Sequence, residues 1–108
     1  MIVKYKETLV GGPHHRRLAT GESTRLLVRS DGVGFTLADF TMEPGSEATL
    51  QYKNHIECNY IVEGRGTLEN LETGSTYEIR PGIMFTLDKH ERHRVRAKTR
   101  IRIIVVFV

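Results

Sequence analysis

The sequence predicts an all-β fold, a sandwich or barrel, and three observations lead to it. No segment of the 108 residues repeats its apolar residues with the period of an amphipathic helix. Strand-like runs rich in Val, Ile, Thr, Tyr and Phe recur at short intervals. Between the runs stand clusters of Gly, Pro, Asp and Ser, which tolerate a positive φ or preset a turn. Many short strands at this spacing are typical of barrels and sandwiches.

Eight runs are predicted to form strands, and the turn residues between them set their limits. They cover residues 24–29, 33–42, 48–52, 56–62, 67–71, 76–79, 83–87 and 94–108. The main separators are SDG, EPGS, EGRG, ETGS, RPG and DKHERH, in chain order. Pro81 falls between two strands, where its missing N–H removes no ladder hydrogen bond. Residues 11–22 (GGPHHRRLATGE) are the one long irregular stretch, and we expect a loop over a pocket mouth or a mobile arm there.

Length and composition predict one small domain over residues 1–108. Hydrophobic residues make up 39% of the chain and charged residues 27%, as in ordinary globular proteins. A core this small is marginal alone, so we expect a homodimer that buries a sheet face. Cys58 is the only cysteine and can form no intrachain disulfide, which predicts a cytoplasmic location. No apolar segment is long enough for a signal peptide or a membrane span, so we expect no membrane partner.

The positive charge is concentrated near the C-terminus. The net charge is +3, and basic residues occupy every second position from 94 to 102. In a strand these side chains share one face, while the apolar residues between them share the other. We interpret the basic face as a solvated outer surface, or one matched by acidic residues between 63 and 78 across a subunit interface. No aromatic platform is interleaved with the charges, so we do not expect nucleic-acid binding.

Two motifs resemble those of the cupin family. Glu57, followed by six residues and then Gly64, matches the end of the first cupin motif, although its paired histidines are absent. Gly82, Asp88, His90 and His93 fall at the spacing of the second motif, where the glycine and the final histidine are kept. The resemblance implies a cupin-type double-stranded β-helix, or jelly-roll, barrel.

A closer resemblance covers about residues 22–107. The segments YKNHIECNYIVEGRG and LDKHERHRVRAKT, with the RPG turn between them, are similar to ectoine synthase, a cupin that also lacks the paired histidines. This resemblance implies a carbon–oxygen lyase that closes a ring by removing water from an N-γ-acetylated 2,4-diaminobutyrate. It also implies a pocket that depends on iron. The family's chains continue beyond position 108 with a tail that carries further pocket residues, whereas this sequence stops at Val108.

The resemblance assigns site residues one position at a time. Glu57 and His93 match two metal ligands, whereas the position of the third ligand, a tyrosine, is Phe85. Tyr52 and His55 match residues beside the metal and the substrate. The predicted substrate-binding residues are Arg25, Phe40, Phe85 and Phe107. At two further positions, Gly21 and Phe40, the family carries a tryptophan and a threonine.

Elementary chemistry supports these assignments. Dehydrating ring closure needs an amine nucleophile, a polarised amide carbonyl and a proton donor for the departing oxygen. A metal held by carboxylate and imidazole can act as a Lewis acid, and Fe(II) is the first expectation, with Mn(II) or Zn(II) as alternatives. Tyr52 or His55 can transfer protons or replace the missing tyrosine ligand. Arg25 is suited to a substrate carboxylate because its guanidinium can bind in a bidentate fork.

Each residue also has a purely structural interpretation. Glu57 alternates with apolar neighbours, so by periodicity alone it could lie on the solvent face of an antiparallel sheet. We favour the alternative, in which the odd-numbered residues of this strand face a polar cavity. His93 shares its parity with Val95 and Ala97 and is expected to point inward, as a metal ligand or as a hydrogen-bonded core histidine. His90 is expected to be a turn residue.

The leading expectation is therefore an ectoine-synthase-like lyase acting on an N-acetylated diaminobutyrate-type substrate. One alternative is a different cupin enzyme with a pocket reshaped by Phe40, Gly21 and Phe85. A second is a cupin that binds a small ligand without turnover. Fold alone cannot choose, because cupin barrels carry many activities.

Overall fold

The computed structural model describes all residues 1–108. A four-residue helix, Lys6–Leu9, and a 3₁₀ turn, Arg29–Asp31, are the only helical elements. The strands are β1 (His15–Leu18), β2 (Gly21–Leu27), β3 (Thr36–Met42), β4 (Glu47–Leu50), β5 (Glu57–Glu63), β6 (Gly66–Asn70), β7 (Thr76–Ile79), β8 (Met84–Thr86), β9 (His93–Ala97) and β10 (Ile101–Phe107). The all-β prediction is confirmed. No helix is long and apolar enough to span a membrane.

The strands form two sheets. The six-stranded sheet has the order β1-β2-β3-β10-β5-β8, and the four-stranded sheet has the order β4-β9-β6-β7. All neighbouring strands are antiparallel. The order is far from the chain order, as expected of a jelly-roll in which the chain passes repeatedly between two layers.

The hydrophobic core lies between the two sheets. It is a cluster of ten buried residues to which both sheets contribute: Ala38, Met42, Ile61, Ile101, Ile103 and Val105 from one, and Leu68, Ile79, Val95 and Ala97 from the other. Strand β10 is central because it pairs with β3 on one side and β5 on the other. Its buried and half-buried residues alternate, which is the pattern that the sequence predicts.

Residues 94–108 do not form the single strand that the alternation predicts. They form β9 in the four-stranded sheet and β10 in the six-stranded sheet. Between them the chain turns, and Lys98 and Thr99 both donate backbone hydrogen bonds to the Arg65 carbonyl. The prediction is wrong at residues 98–100 because this three-residue turn puts an even step of four positions between the buried Ala97 and Ile101, which preserves the parity of the apolar residues, so periodicity does not reveal the turn.

Residues 11–22 are more regular than expected. Strand β1 lies inside this segment and forms a hairpin with β2, with His15 opposite Thr24. Leu18 and Thr20 line the cavity described below. Position 21 requires glycine for a steric reason, because a Cβ there would lie 1.7 Å from the Thr41 carbonyl oxygen.

The basic residues of β9 are paired within the chain. Arg94 contacts Glu69 at 3.1 Å and Glu47 at 3.2 Å, and Arg96 contacts Glu47 at 3.0 Å. Glu47 and Glu69 lie directly opposite these arginines on β4 and β6. The outer face of the four-stranded sheet therefore carries a cross-strand network of opposite charges.

Candidate active site

A cavity of about 270 Å³ opens between the two sheets. Its floor is the inner face of the six-stranded sheet, and His93 and Val95 of the four-stranded sheet lie opposite. All eight predicted site residues line it: Arg25, Phe40, Tyr52, His55, Glu57, Phe85, His93 and Phe107. The tertiary structure thus brings together residues that span 83 positions of the chain.

Cross-strand register arranges the floor in rows. In the first row, Glu57 pairs with Phe107 and Phe107 with Thr36. Residues that pair directly across antiparallel strands point to the same face of the sheet. The next row is longer and crosses five strands in the order Arg25, Ala38, Val105, Asn59 and Phe85. These two rows supply most of the polar groups of the floor.

Glu57, the first residue of β5, faces the cavity. Glu57 and Asn59 are buried with exposures of 7% and 5%, whereas Tyr60 on the opposite face of the strand is 47% exposed. The cavity interpretation is therefore correct for this strand, and the solvent-face interpretation is wrong. Burial raises the pKa of the Glu57 carboxyl, and contacts with His55, Asn59 and Tyr52 offset only part of that increase.

Tyr52 and His55 lie on the loop between β4 and β5. Their rings stack with centroids 4.9 Å apart, and His55 Nε2 lies 3.4 Å from Glu57 Oε2. On its other side His55 contacts the Phe107 ring, with centroids 4.8 Å apart. Burial, followed by the charge of Glu57, raises the pKa of the Tyr52 hydroxyl, so the phenol stays protonated at neutral pH.

His90 positions this loop. Its Nδ1 lies 2.8 Å from the Tyr52 carbonyl oxygen, and its own carbonyl accepts a hydrogen bond from Gln51 Nε2 at 3.1 Å. Because a carbonyl oxygen only accepts, Nδ1 must carry the proton. His90 has a φ of 57°, in the left-handed region that the glycine of the second cupin motif would readily adopt. The prediction of a turn residue is confirmed, and the ring has an anchoring contact that the sequence did not reveal.

His93 begins β9 and points inward at 3% exposure. Its Nδ1 lies 3.1 Å from the Glu91 carbonyl oxygen, so Nδ1 carries the proton and Nε2 keeps a free lone pair. Burial lowers the pKa of this imidazole, so it is neutral at neutral pH. A neutral imidazole whose Nδ1–H binds a carbonyl is the common form of a metal-ligating histidine.

The remaining predicted residues form apolar walls around one cation. Phe85 packs edge-on to His93 with ring centroids 6.4 Å apart, and Phe40 packs against the core cluster. The guanidinium carbon of Arg25 lies 5.5 Å from the centre of the Phe107 ring. This cation–π contact holds the guanidinium at the cavity without neutralising its charge.

The residues present fit a metal ion, with fewer protein ligands than a closed site has. Glu57 and His93 offer a buried carboxylate and a free imidazole nitrogen in the same cavity, a donor set that suits Fe(II), Mn(II) or Zn(II). No group of three or more His, Cys, Asp and Glu side chains is placed to hold a metal. Phe85 has no donor atom, so a third protein ligand would have to come from a neighbouring cavity residue such as Tyr52 or His55.

Asn59 lines the cavity, although no sequence motif assigns a role to it. The alternation of β5 places it on the same face as Glu57, and that signal was available. What the sequence cannot show is that its side-chain nitrogen is the only fully buried side-chain nitrogen or oxygen without a hydrogen-bond partner.

Comparison with known proteins agrees with this geometry. The family model described as ectoine synthase matches residues 1–108. The L-ectoine synthase of Oceanobacillus iheyensis is 41% identical over 107 residues, which cover 99% of this chain and 84% of that protein. The crystal structure of ectoine synthase from P. lautus superposes with a TM-score of 0.95 at 43% identity, covering 99% of this chain and 77% of that one.

A more distant structure shows the fold alone. The cupin domain of Schizosaccharomyces pombe Cnp3 has a TM-score of 0.74 at 15% identity and covers all of this chain and 74% of that chain. The predicted cupin barrel is therefore confirmed. From the family match and the relatives above 30% identity over nearly the whole chain, this protein belongs to the ectoine synthase family of hydro-lyase enzymes.

Proposed function

We propose that this enzyme closes a ring in an N-γ-acetylated 2,4-diaminobutyrate-type substrate and releases water. The observation that carries the proposal is the convergence of a buried carboxylate, two imidazoles, a protonated phenol and an unneutralised guanidinium in one cavity. The family match gives the reaction class, and these groups are the ones that the reaction needs.

The bond changes define what the residues must do. The α-amine nitrogen attacks the acyl carbon, a carbon–nitrogen bond forms, and the acyl oxygen leaves as water while a carbon–nitrogen double bond is completed. The two protons that leave with the oxygen come from the substrate nitrogens. His55 accepts a proton from the attacking amine, and Tyr52, kept protonated by burial, supplies one to the departing oxygen.

Arg25 and the aromatic walls orient the substrate. The guanidinium pairs with the substrate carboxylate, and the rings of Phe107 and Phe85 exclude water from the reacting atoms. Glu57 and His93 would hold the divalent metal, Fe(II) first and Mn(II) or Zn(II) as alternatives. When bound, that metal would supply Lewis-acid polarisation of the acyl oxygen.

The test combines metal content with turnover. Protein loaded anaerobically with Fe(II), Mn(II) or Zn(II) is assayed for bound metal and for cyclisation of N-γ-acetyl-2,4-diaminobutyrate. Glu57→Ala and His93→Ala should each lose both. The matched controls are Glu69→Ala and His14→Ala, which make the same changes outside the cavity and should retain both. A fully active Glu57→Ala/His93→Ala double variant would end the proposal.

A second candidate is a different enzyme of the same fold that acts on a related acylated amino acid. Two large rings, Phe40 and Phe85, line the cavity and favour a substrate that presents more apolar surface than the acetyl compound. A panel of N-γ-acyl diaminobutyrates with longer acyl groups separates the two: faster turnover of a longer acyl group would favour this candidate. Family membership favours catalysis over the binding module without turnover.

We also propose that the enzyme is a homodimer and acts in the reducing cytoplasm, where the free thiol of Cys58 would persist. Ile104, Tyr60 and Met84 form a cross-strand row on the outer face of the six-stranded sheet, and Tyr60 and Met84 are 47% and 55% exposed. A second copy would cover this apolar row. Sedimentation should show that Tyr60→Glu weakens the dimer, whereas Tyr77→Glu, at a 51% exposed position on β7, should not. A wild-type monomer at assay concentration would contradict the proposal.

A further inference from the structure

Asn59 is the one cavity residue whose hydrogen-bonding capacity is unused. Its side chain is 5% exposed, and Nδ2 has no acceptor within hydrogen-bonding geometry. A buried donor without a partner costs folding free energy, and native proteins rarely keep one without a reason. A ligand acceptor in the cavity that Asn59 lines would supply that reason.

The neighbours of Asn59 explain why the protein itself supplies no acceptor. Its direct cross-strand partners are Val105 on one side and Phe85 on the other, and neither side chain can accept a hydrogen bond. Glu57 lies two residues away on the same face of β5, and the Asn59 amide is near enough to lower the pKa of its carboxyl, but Nδ2 and the carboxylate do not reach hydrogen-bonding geometry. The cross-strand neighbours therefore leave Nδ2 without an acceptor, in a residue that lines the cavity.

The charges around the cavity determine which acceptor can lie there. A carboxylate placed beside Asn59 would also lie close to the Glu57 carboxylate and be repelled by it. The Arg25 guanidinium, at the other end of the same cross-strand row, is the favourable place for a negative group. Between Arg25 and Asn59 the row carries only Ala38 and Val105, which leave room for a substrate chain of a few atoms.

We propose that Asn59 Nδ2 donates a hydrogen bond to the neutral acyl carbonyl oxygen of the substrate, while Arg25 binds the carboxylate at the other end. This inference rests on the proposed function for the identity of the substrate. It adds Asn59 as a residue that recognises the acyl group of that substrate. The same hydrogen bond polarises the carbonyl before the amine attacks it, so Asn59 acts on specificity and on the reacting centre together.

The test compares ligand affinity with stability in Asn59→Leu, which keeps the side-chain size and removes the donor. Affinity for N-γ-acetyl-2,4-diaminobutyrate is expected to fall about tenfold, the equivalent of one hydrogen bond. Affinity for 2,4-diaminobutyrate, which has no acyl group, should not change. Because an unpaired buried donor is removed, the melting temperature of the ligand-free variant should rise.

Two further variants keep the result interpretable. Asn59→Ala only truncates the side chain and should show the same selective loss of affinity if leucine packs poorly. Asn70→Leu is the matched control, because Asn70 Oδ1 accepts a hydrogen bond from the Glu72 amide at 2.9 Å. Its melting temperature should fall, and both affinities should be retained.

The outcomes separate this inference from the proposed function. Unchanged affinity for the acetylated compound in both Asn59 variants overturns the inference, even where wild-type turnover is intact. Equal losses for the acetylated and non-acetylated compounds also overturn it, since they would indicate a general packing role. A selective loss supports the inference, and if wild type then binds the acetylated compound without releasing a cyclic product, only the proposed function fails.

Discussion

The outer face of the four-stranded sheet and the inner floor of the six-stranded sheet both carry charged residues. Opposite charges are paired on the outer face, whereas charged groups on the floor lack such partners. On the outer face Arg94 and Arg96 each contact a glutamate directly across from them, and Arg96 and Glu47 are about half exposed. On the inner floor Glu57 is buried, with its nearest cationic group a histidine at 3.4 Å, and its polar contacts do not offset the cost of burial; Arg25 lies over a ring instead of beside a carboxylate.

This difference teaches how to separate structural charges from functional ones. Exposed opposite charges on neighbouring strands compensate one another and contribute little free energy each. Buried charges without full compensation cost free energy, and a fold keeps them where a ligand, a metal or a reaction uses them. Substitutions of Glu57, His90 and Arg96 test this contrast, with expected effects that decrease in that order.

The largest effect is expected from Glu57→Gln, which removes the buried charge and keeps the shape. Turnover should fall at least about a hundredfold, the usual contribution of a group that acts on the reacting centre. The pKa of Glu57 is higher in the folded state than its ordinary value of 4.5. The free energy of unfolding of metal-free wild type should therefore decrease as pH rises above 4.5 and through the raised pKa. The variant lacks this decrease and should be more stable than wild type at neutral pH.

Thermal unfolding of metal-free wild type and Glu57→Gln between pH 4 and 8 checks this prediction. The two melting curves should approach each other at the acid end, where the carboxyl is protonated in both folded and unfolded states. Parallel curves over the whole range would mean that Glu57 is fully compensated, and the contrast between the two faces would then fail.

A smaller effect is expected from His90→Gly. The substitution relieves the positive φ of 57° but removes the 2.8 Å hydrogen bond to the Tyr52 carbonyl. Since a misplaced reacting group is costly, loosening this loop should lower turnover about tenfold with little change in stability. The control is His90→Asn, because asparagine tolerates this conformation and keeps a donor. Steady-state kinetics that show wild-type turnover in the glycine variant would contradict the anchoring role.

The smallest effect is expected from Arg96→Ala on the outer face. Arg96 and Glu47 are 54% and 48% exposed, so breaking their 3.0 Å contact should cost at most about 1 kcal/mol of unfolding free energy, and less in high salt. Turnover should not change. Urea denaturation at low and high salt, with a turnover assay, measures both. A loss of turnover would show that the outer network supports the cavity from behind.

The site was predictable in part from β-strand parity and in part from the family resemblance. Alternation along β9 placed His93 on the inward face, whereas alternation along β5 alone left the face of Glu57 open, and the motif resemblance favoured the cavity. The anchoring by His90 and the orphaned amide of Asn59 were not predictable. Both depend on atoms from segments far apart in the chain, such as the 2.8 Å contact between residues 90 and 52.

The sequence predicted the all-β class, the turns at Gly64 and Gly82 and, with the family resemblance, the inward faces of Glu57 and His93. The turns are local features, because the φ values of 101° and 97° at these glycines lie in the left-handed region that favours glycine, and alternation groups the residues of one strand by face. Only the tertiary structure decided that residues 98–100 turn the chain into the other sheet, and that Arg25 and Asn59 share a row across four strands. Strand order and register arise from contacts between distant segments, and periodicity within one strand is the same whichever neighbour it pairs with.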